Sequence, residues 1–199
     1  RHNHSHKDVY VSIDPVFFLQ KKIKDVSEDK VIALNIINNK LMKESERSYK
    51  KLINQYARLA DNLAENLGKR VILFSTEIAD YDAVFEVSEL VKHNKVIEVV
   101  KINTVEELLE LYNNVIVLVG TRMHSMIVAH TQEIPVVGLS WQKKVDAMFE
   151  IIDSKDSLFN YNEISNYISC ITECVKSKIN NIEDEKSRIR KNLLSLNSK

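Results

Sequence analysis

The residues best suited to chemistry lie together in one short stretch that follows an apolar run. Arg122 and His124 come directly after Gly120, with Thr121 and Ser125 beside them. A helix that begins here has unpaired amides and about half a positive charge at its first turn, which attract anions. A guanidinium matches two oxygens of a phosphate or carboxylate, and an imidazole exchanges protons near neutral pH. The stretch therefore predicts a site that binds a small anion and transfers a proton.

A second polar stretch follows the next apolar run, Pro135–Leu139. It contains Ser140, Trp141, Lys143 and Lys144. If the two apolar runs are neighbouring strands, these side chains reach the same crevice as His124, because the carboxyl ends of parallel strands meet at one edge. Asn35, near the end of an earlier apolar run, is a further candidate for substrate contact.

Purely structural roles compete with this interpretation. Arg122 can form a surface salt bridge, His124 can be a hydrogen-bonded structural side chain, and lysines on a loop are usually solvated. The position of His130, six residues beyond His124 on the same predicted helix, indicates a structural histidine. The two interpretations differ in whether Arg122 and His124 meet at the carboxyl end of a buried strand.

Two other clusters have the composition of metal sites. One is an alternating set at the chain start, namely His2, His4 and His6, for which a solvated end is the simpler explanation. The other is an acidic rim of Glu77, Asp80 and Asp82. A helix N-cap at Asp82 explains that cluster without a metal. We therefore predict neither a metal nor a cofactor.

The elements that must position these residues alternate along the chain. Apolar runs predict strands, and apolar residues spaced by three and four predict helices between them. The predicted strands are 31–36, 70–74, 96–100, 115–119 and 135–139. The helices between and after them are 48–67, 82–92, 104–112, 123–132 and 145–152, with Gly68 as a C-terminal stop and Thr104–Glu107 as a capping box.

This alternation implies right-handed crossovers and a doubly wound, mainly parallel, Rossmann-like sheet. We expect residues 1–30 to hold a strand at 9–13 and a connector, and residues 31–152 to form the α/β domain. Residues 153–199 are expected to add C-terminal helices at 163–178 and 182–196 that pack on it.

Composition excludes several classes of protein. The 199 residues carry 28 basic and 28 acidic side chains, whereas a general nucleic-acid binder has a basic excess. Three glycines are too few for a dinucleotide fingerprint or a Walker A loop, and two cysteines are too few for a disulfide scaffold. No apolar run reaches the ~20 residues of a membrane span, and no signal peptide is recognised. We expect a cytoplasmic protein.

The stretch from Val119 to Phe149 resembles the carboxyl-terminal signature of polysaccharide pyruvyl transferases. The matching positions are Gly120, Arg122, His124, Pro135, Gly138, Trp141 and Lys144. Asp14-Pro15 is similar to an Asp-Pro motif of the same family. The resemblance implies one half of a GT-B-like enzyme with two facing Rossmann-like domains. It also implies transfer of a pyruvyl group from phosphoenolpyruvate to a sugar, usually as a ketal.

The resemblance assigns roles by position. His124 is the acid/base or phosphate-contacting histidine, while Arg122 and Lys144 hold the phosphate or carboxylate of the donor. Independently of the resemblance, we predict that Gly120, Thr121 and Ser125 line the substrate site, together with Ser140, Trp141 and Asn35. The expected partners are phosphoenolpyruvate, a sugar or polysaccharide-precursor acceptor and an amino-terminal Rossmann-like domain. A lipid-linked acceptor would bring the protein to a membrane surface.

The sequence departs from the family pattern at two places, and the first of them, a missing acid, concerns the acceptor contacts. Trp141-Gln142-Lys143-Lys144 stands where the family often has Tyr-Asp-x-Lys, and Ile37-Asn38-Asn39 stands where an arginine often follows the strand. The length accommodates a single Rossmann-like layer, so we expect the isolated chain to fold with little transferase activity. Two alternatives remain: a GT-B-type glycosyltransferase domain that binds a nucleotide sugar, and a non-catalytic domain that docks partners through 182–196.

Overall fold

The computed structural model describes residues 14–19, 29–38 and 45–197, and its core is a parallel sheet. The strands are β1 (Val31–Asn35), β2 (Val71–Phe74), β3 (Ile97–Val99), β4 (Val115–Gly120), β5 (Val136–Ser140) and β6 (Leu158–Asn160). They lie in the order β3-β2-β1-β4-β5-β6, and every pair is parallel. This order reverses direction between β1 and β4, the switch point of a doubly wound sheet. The predicted Rossmann-like fold class is confirmed.

Helices cover both faces of the sheet. In the described residues they are α1 (Glu46–Leu67), α2 (Tyr81–Leu90), α3 (Val105–Tyr112), α4 (Met123–Thr131), α5 (Lys143–Ile151), α6 (Ile164–Asn180) and α7 (Ile182–Asn197). One core contains buried residues of α1, α2 and α6, and the other contains those of α3, α4, α5 and α7. Strand residues alternate between the two cores, so Ile32 faces the first and Ala33 the second. Burial on both faces explains why the central strands are almost wholly apolar.

Local signals define the helix ends. The Ser45 hydroxyl accepts from the Ser48 amide to begin α1, and Gly68 ends that helix at φ 57°. The left-handed conformation there suits glycine, as predicted from the sequence. Thr104 caps α3 by accepting from the Glu107 amide at 3.1 Å. The Glu107 carboxylate accepts in return from the amide of Asn103, and hydrogen bonds from the Asn103 and Thr104 amides lower the pKa of Glu107.

The sheet of the described residues contains a strand, β6, that the sequence patterns do not predict. β6 pairs with β5 and comes from beyond residue 152, the expected end of the α/β domain. Its three residues are too few to show a periodicity, and two of them are only partly buried. The expected C-terminal helices are present as α6 and α7. The strand predicted at 9–13, most of the connector and the histidines at 2, 4 and 6 lie outside the described residues.

The two glycines of the recognised signature are packing positions. Gly120 and Gly138 are register partners in β4 and β5. A Cβ at Gly120 would collide with the Met126 side chain, and one at Gly138 would collide with Phe149 and Leu158. α4 and α5 thus lie close to the sheet because these two positions lack side chains. In the part of the chain that the structure describes, no helix is long and apolar enough to cross a membrane.

α7 is fastened to α4 through a buried histidine. The side chain of His130 is nearly fully buried, and its Nε2 atom is 3.0 Å from Oδ1 of Asn192. The side-chain amide nitrogen of Asn192 donates to the Ile151 carbonyl at 2.9 Å. Burial, with Arg188 and Lys178 nearby, lowers the pKa of His130 to about 4. Ile189 and Leu196 of α7 are also buried. The structural role predicted for His130 agrees with this packing.

We predict that this histidine makes the fold acid-sensitive. Because its pKa is about 4 in the folded chain and 6.5 ordinarily, the unfolded chain binds more protons between those values. The free energy of unfolding should therefore fall by about 3 kcal/mol as the pH drops from about 6.5 to about 4. Urea unfolding across this range measures the loss, and His130→Gln should flatten the pH dependence. His93→Gln is the control, and an equal slope in wild type and His130→Gln would contradict the assignment.

Candidate functional site

The Arg122 guanidinium is held at the switch point by a buried carboxylate. Arg122 Nε donates to Asp80 Oδ2 and Nη2 donates to Asp80 Oδ1, both at 2.8 Å. Asp80 is 0% exposed, whereas the Arg122 side chain keeps 24% of its surface exposed. This bidentate pair fixes the plane of the guanidinium. Two of its five N–H donors bind Asp80, and no other partner of the guanidinium is found among the described residues.

Asp80 is itself fully hydrogen-bonded. Its Oδ1 accepts from the Asn38 amide at 2.9 Å, and its Oδ2 accepts from the Ser75 hydroxyl at 2.8 Å. The expectation of an exposed acidic rim is therefore wrong for Asp80, which is a buried counter-ion. Asp82 does not cap α2 either, because that helix begins at Tyr81. No group of three His, Cys, Asp or Glu side chains suited to a metal occurs in the described ranges.

The ends of β1 and β4 are joined by a buried polar network. The Arg122 amide donates to Asn35 Oδ1 at 2.9 Å, and the Thr121 hydroxyl donates to the Asn35 carbonyl at 3.0 Å. The Tyr56 hydroxyl lies 2.8 Å from the Thr121 hydroxyl. Burial raises the pKa of Tyr56 well above its ordinary value. Asn35 and Thr121 are buried with these internal partners, so they position Arg122.

His124 is more exposed than Arg122, and it contacts the carboxylate of Asp14. Its Nε2 lies 3.1 Å from Oδ2 of Asp14, and its side chain is 63% exposed. The other oxygen of Asp14 accepts from the Val16 amide at 3.0 Å and caps a 3₁₀ turn at Pro15–Phe18. Because a carboxylate only accepts, the ring donates from Nε2 in this contact, and Nδ1 is the second ring nitrogen. The turn thus orients the imidazole.

Two further predicted residues lie inside the protein. Ser125 is buried on α4, and its hydroxyl lies 2.8 Å from the hydroxyl of Tyr112. Gly120 is buried in β4 against Met126. Their substrate contact remains a prediction, and the described contacts of both are with the core.

The residues after β5 form an adjoining surface. Trp141 Nε1 donates to the Thr121 carbonyl at 3.2 Å, which joins the two polar stretches. Ser140 donates through its hydroxyl to the Asp146 carboxylate. Lys143 and Lys144 lie in the first turn of α5, not on a loop, and both are exposed. Lys143 lines a groove beside β6, whereas no hydrogen bond or ion pair joins Lys144 to the groups around Arg122 in the described chain.

The sequence contains no signal for the roles of the two carboxylates that organise the site, Asp80 and Asp14. Asp80 precedes a helix and is typical of a solvated cap, so its burial depends on a long-range pairing with Arg122. Asp14 belongs to the Asp-Pro motif, but its partner His124 is 110 positions away, and the sequence pattern does not predict that the two side chains meet. The sequence feature that could have placed Asp80 in the site is its position after β2, because that strand lies next to β1 in the sheet.

Fold and site together define a Rossmann-like α/β domain with an anchored guanidinium and an exposed imidazole at the carboxyl edge of its sheet. A model of the family "Polysaccharide pyruvyl transferase" matches residues 1–143. The chain belongs to this family. Among curated proteins, none matches the chain.

The solved structures that resemble this chain do so at low sequence identity. A putative UDP-N-acetylglucosamine 2-epimerase from Listeria monocytogenes is 8% identical, with a TM-score of 0.54 over 81% of this chain and 40% of that one. A structure described as accessory secretory protein 1, 2 and 3 in Streptococcus pneumoniae is 14% identical, with a TM-score of 0.41 over 88% of this chain and 37% of that one. The chain thus spans about two fifths of the length of these proteins. The first match supports the Rossmann-like fold alone.

We predict that Asp80→Ala destabilises the chain. The substitution leaves the Arg122 charge without its partner, and the expected loss is about 3 kcal/mol, since removing one member of a buried pair typically costs about 3–5 kcal/mol and Arg122 still reaches solvent. Urea unfolding measures the loss. Asp82→Ala, an exposed position two residues away, is the matched control and should change the free energy of unfolding by less than about 1 kcal/mol. Equal effects of the two variants would contradict the assignment.

Proposed function

We propose that this chain supplies the anion-binding half of a pyruvyl transferase that uses phosphoenolpyruvate as donor and a sugar of a cell-surface polysaccharide as acceptor. The observation that carries the proposal is the fixed guanidinium of Arg122, on the same edge of the sheet as the exposed His124–Asp14 pair. Family membership supports the transferase class. The donor, the acceptor and the half-site role belong to the proposal.

The donor side follows from charge. Phosphoenolpyruvate carries a phosphate and a carboxylate, and both suit a guanidinium held in one plane. The first turn of α4 adds amides with a positive partial charge beside Arg122. Asp80 neutralises the buried edge of the guanidinium and leaves three donors for a ligand. Lys144, exposed at the start of α5, is proposed as a second cation for the donor.

The proton chemistry is assigned to His124. Ketal formation bonds two sugar hydroxyl oxygens to C2 of the donor and breaks the C2–O bond to phosphate. One proton is delivered to the methylene carbon, and the second hydroxyl proton leaves with the phosphate. An imidazole held through Nε2 by Asp14 presents Nδ1 for such a transfer, a contribution of about 10²–10⁴-fold for a placed acid or base. Cationic groups nearby stabilise the departing phosphate.

A second domain is part of the proposal. The carboxyl edge of the sheet presents His124 to solvent, and a facing Rossmann-like domain would enclose the reaction there. We expect such an enzyme to work in the cytoplasm on a sugar or lipid-linked precursor. The docking alternative has less support, because Ile189 and Leu196 of α7 pack within the chain.

A ligand panel separates the transferase from the glycosyltransferase alternative. We expect phosphoenolpyruvate to raise the melting temperature of the chain, since a ligand at ~100 times its Kd adds about 2.7 kcal/mol to the free energy of unfolding. Arg122→Ala should abolish the shift, whereas Arg58→Ala on α1 should retain it. Stabilisation by UDP- or GDP-sugars without any by phosphoenolpyruvate would favour a nucleotide-sugar enzyme.

The role of His124 is tested by turnover in the enzyme assembled with its second domain. His124→Ala should reduce kcat at least about tenfold, because the proposed proton transfer loses its carrier. The fold should persist, since the side chain is largely exposed. His93→Ala is the matched control. Wild-type turnover in His124→Ala would remove the acid/base assignment.

A further inference from the structure

A second groove lies beside the switch-point site, at the carboxyl ends of β5 and β6. Its volume is about 430 Å³, which is within the range of small-molecule sites. Trp141 and Lys143 line it from the β5 side, and Phe159 and Asn160 line it from β6. The groove depends on β6, since that strand supplies its outer wall.

Two aromatic side chains give the groove firm apolar surfaces. Trp141 is held through its Nε1–H bond to the Thr121 carbonyl, and Phe159 packs against Tyr167 with ring centroids 6.0 Å apart. Both are partly buried against the core. Rigid aromatic rings suit ligands that have an apolar face and polar edges.

The polar lining offers donors and acceptors together. Gln142, Asn160 and Asn162 contribute amide groups to the lining. Asp146 uses one carboxylate oxygen for Ser140, and Asn160 uses its amide oxygen for the Asn162 amide at 2.9 Å. The second oxygen of Asp146 and the amide nitrogen of Asn160 can therefore bind a ligand. A hydroxyl matches this mixture, because it donates and accepts at one atom.

The charge of the groove differs from that of the switch-point site. Lys143 and Asp146 are its two charged side chains, and their charges cancel. A trianionic donor gains little in such a place, whereas a neutral polyol fits it.

We infer that this groove binds a neutral sugar ring, which under the proposed function is the acceptor. Trp141 forms the wall between this groove and the donor side, because its indole N–H donates to the carbonyl of Thr121, the residue before Arg122. A ring stacked here would present its hydroxyls toward the neighbouring anion site. Acceptor and donor would thus occupy adjacent parts of one carboxyl edge.

The position of Trp141 allows a direct test, because it is the only tryptophan in the 199 residues. The full chain is titrated with methyl glycosides of glucose, galactose, mannose, N-acetylglucosamine and N-acetylmannosamine while tryptophan fluorescence is recorded. At least one glycoside should change the fluorescence saturably. UDP and phosphoenolpyruvate are titrated separately to identify a nucleotide or an anion as the occupant.

Matched variants locate the binding. Asp146→Asn and Phe159→Leu should each weaken the apparent affinity about fivefold or more, the equivalent of one lost contact of about 1 kcal/mol. Asp184→Asn, an exposed position on α7, should leave the affinity unchanged. Asp146 is itself exposed, so its variant is expected to fold and keeps the test decisive.

Three results would overturn the inference: no saturable change with any glycoside, a change that Asp146→Asn and Phe159→Leu both leave intact, or a response to UDP in place of the sugars. Failure of the donor proposal looks different. In that case the glycoside response persists while phosphoenolpyruvate produces no thermal stabilisation. If phosphoenolpyruvate raises the melting temperature but no glycoside changes the fluorescence, the inference of a sugar groove is wrong and the proposed donor site is retained.

Discussion

The buried ion pair between Asp80 and Arg122 is the interaction on which the site depends. A carboxylate without solvent contact is costly unless its hydrogen bonds are satisfied, and Asp80 accepts from two guanidinium nitrogens, the Ser75 hydroxyl and the Asn38 amide. These partners come from the segments that follow β1, β2 and β4. Three strand ends are thereby held in one arrangement around one charge. A cation presented to solvent from such an anchor loses little freedom when it binds an anion.

Regular elements of the fold were predictable because their signals are local. Central strands buried on both faces are continuous apolar runs, and α1 carries its own stop at Gly68. β6 was missed since three residues have no period, and its pairing with β5 comes from the approach of a distant segment. The burial of Asp80 is not predictable from the sequence for a similar reason. Whether an acid before a helix is solvated or buried depends on a partner 42 positions away.

The same contrast separates the parts of the candidate site. Arg122 and His124 were identifiable because a helix start after a buried strand is a known place for anions. The roles of Asn35 and Thr121 were not readable in this way. Both have the polarity of ligand contacts, yet the network with Tyr56 turns them inward, where they fix the turn that carries Arg122. Residue type and spacing thus indicate the location of a site better than the function of each member.

The carboxyl edge divides into two environments of different charge. Around the switch point, the described groups are a guanidinium and an imidazole, each paired with a carboxylate. Beside β6, aromatic rings and amides line a groove in which the charges of Lys143 and Asp146 are opposite and sum to zero. Gly120 and Gly138 bring α4 and α5 close to the sheet, so the first turns of both helices lie at this edge. Trp141 connects the two parts through one hydrogen bond, and a displacement of either helix would therefore change both.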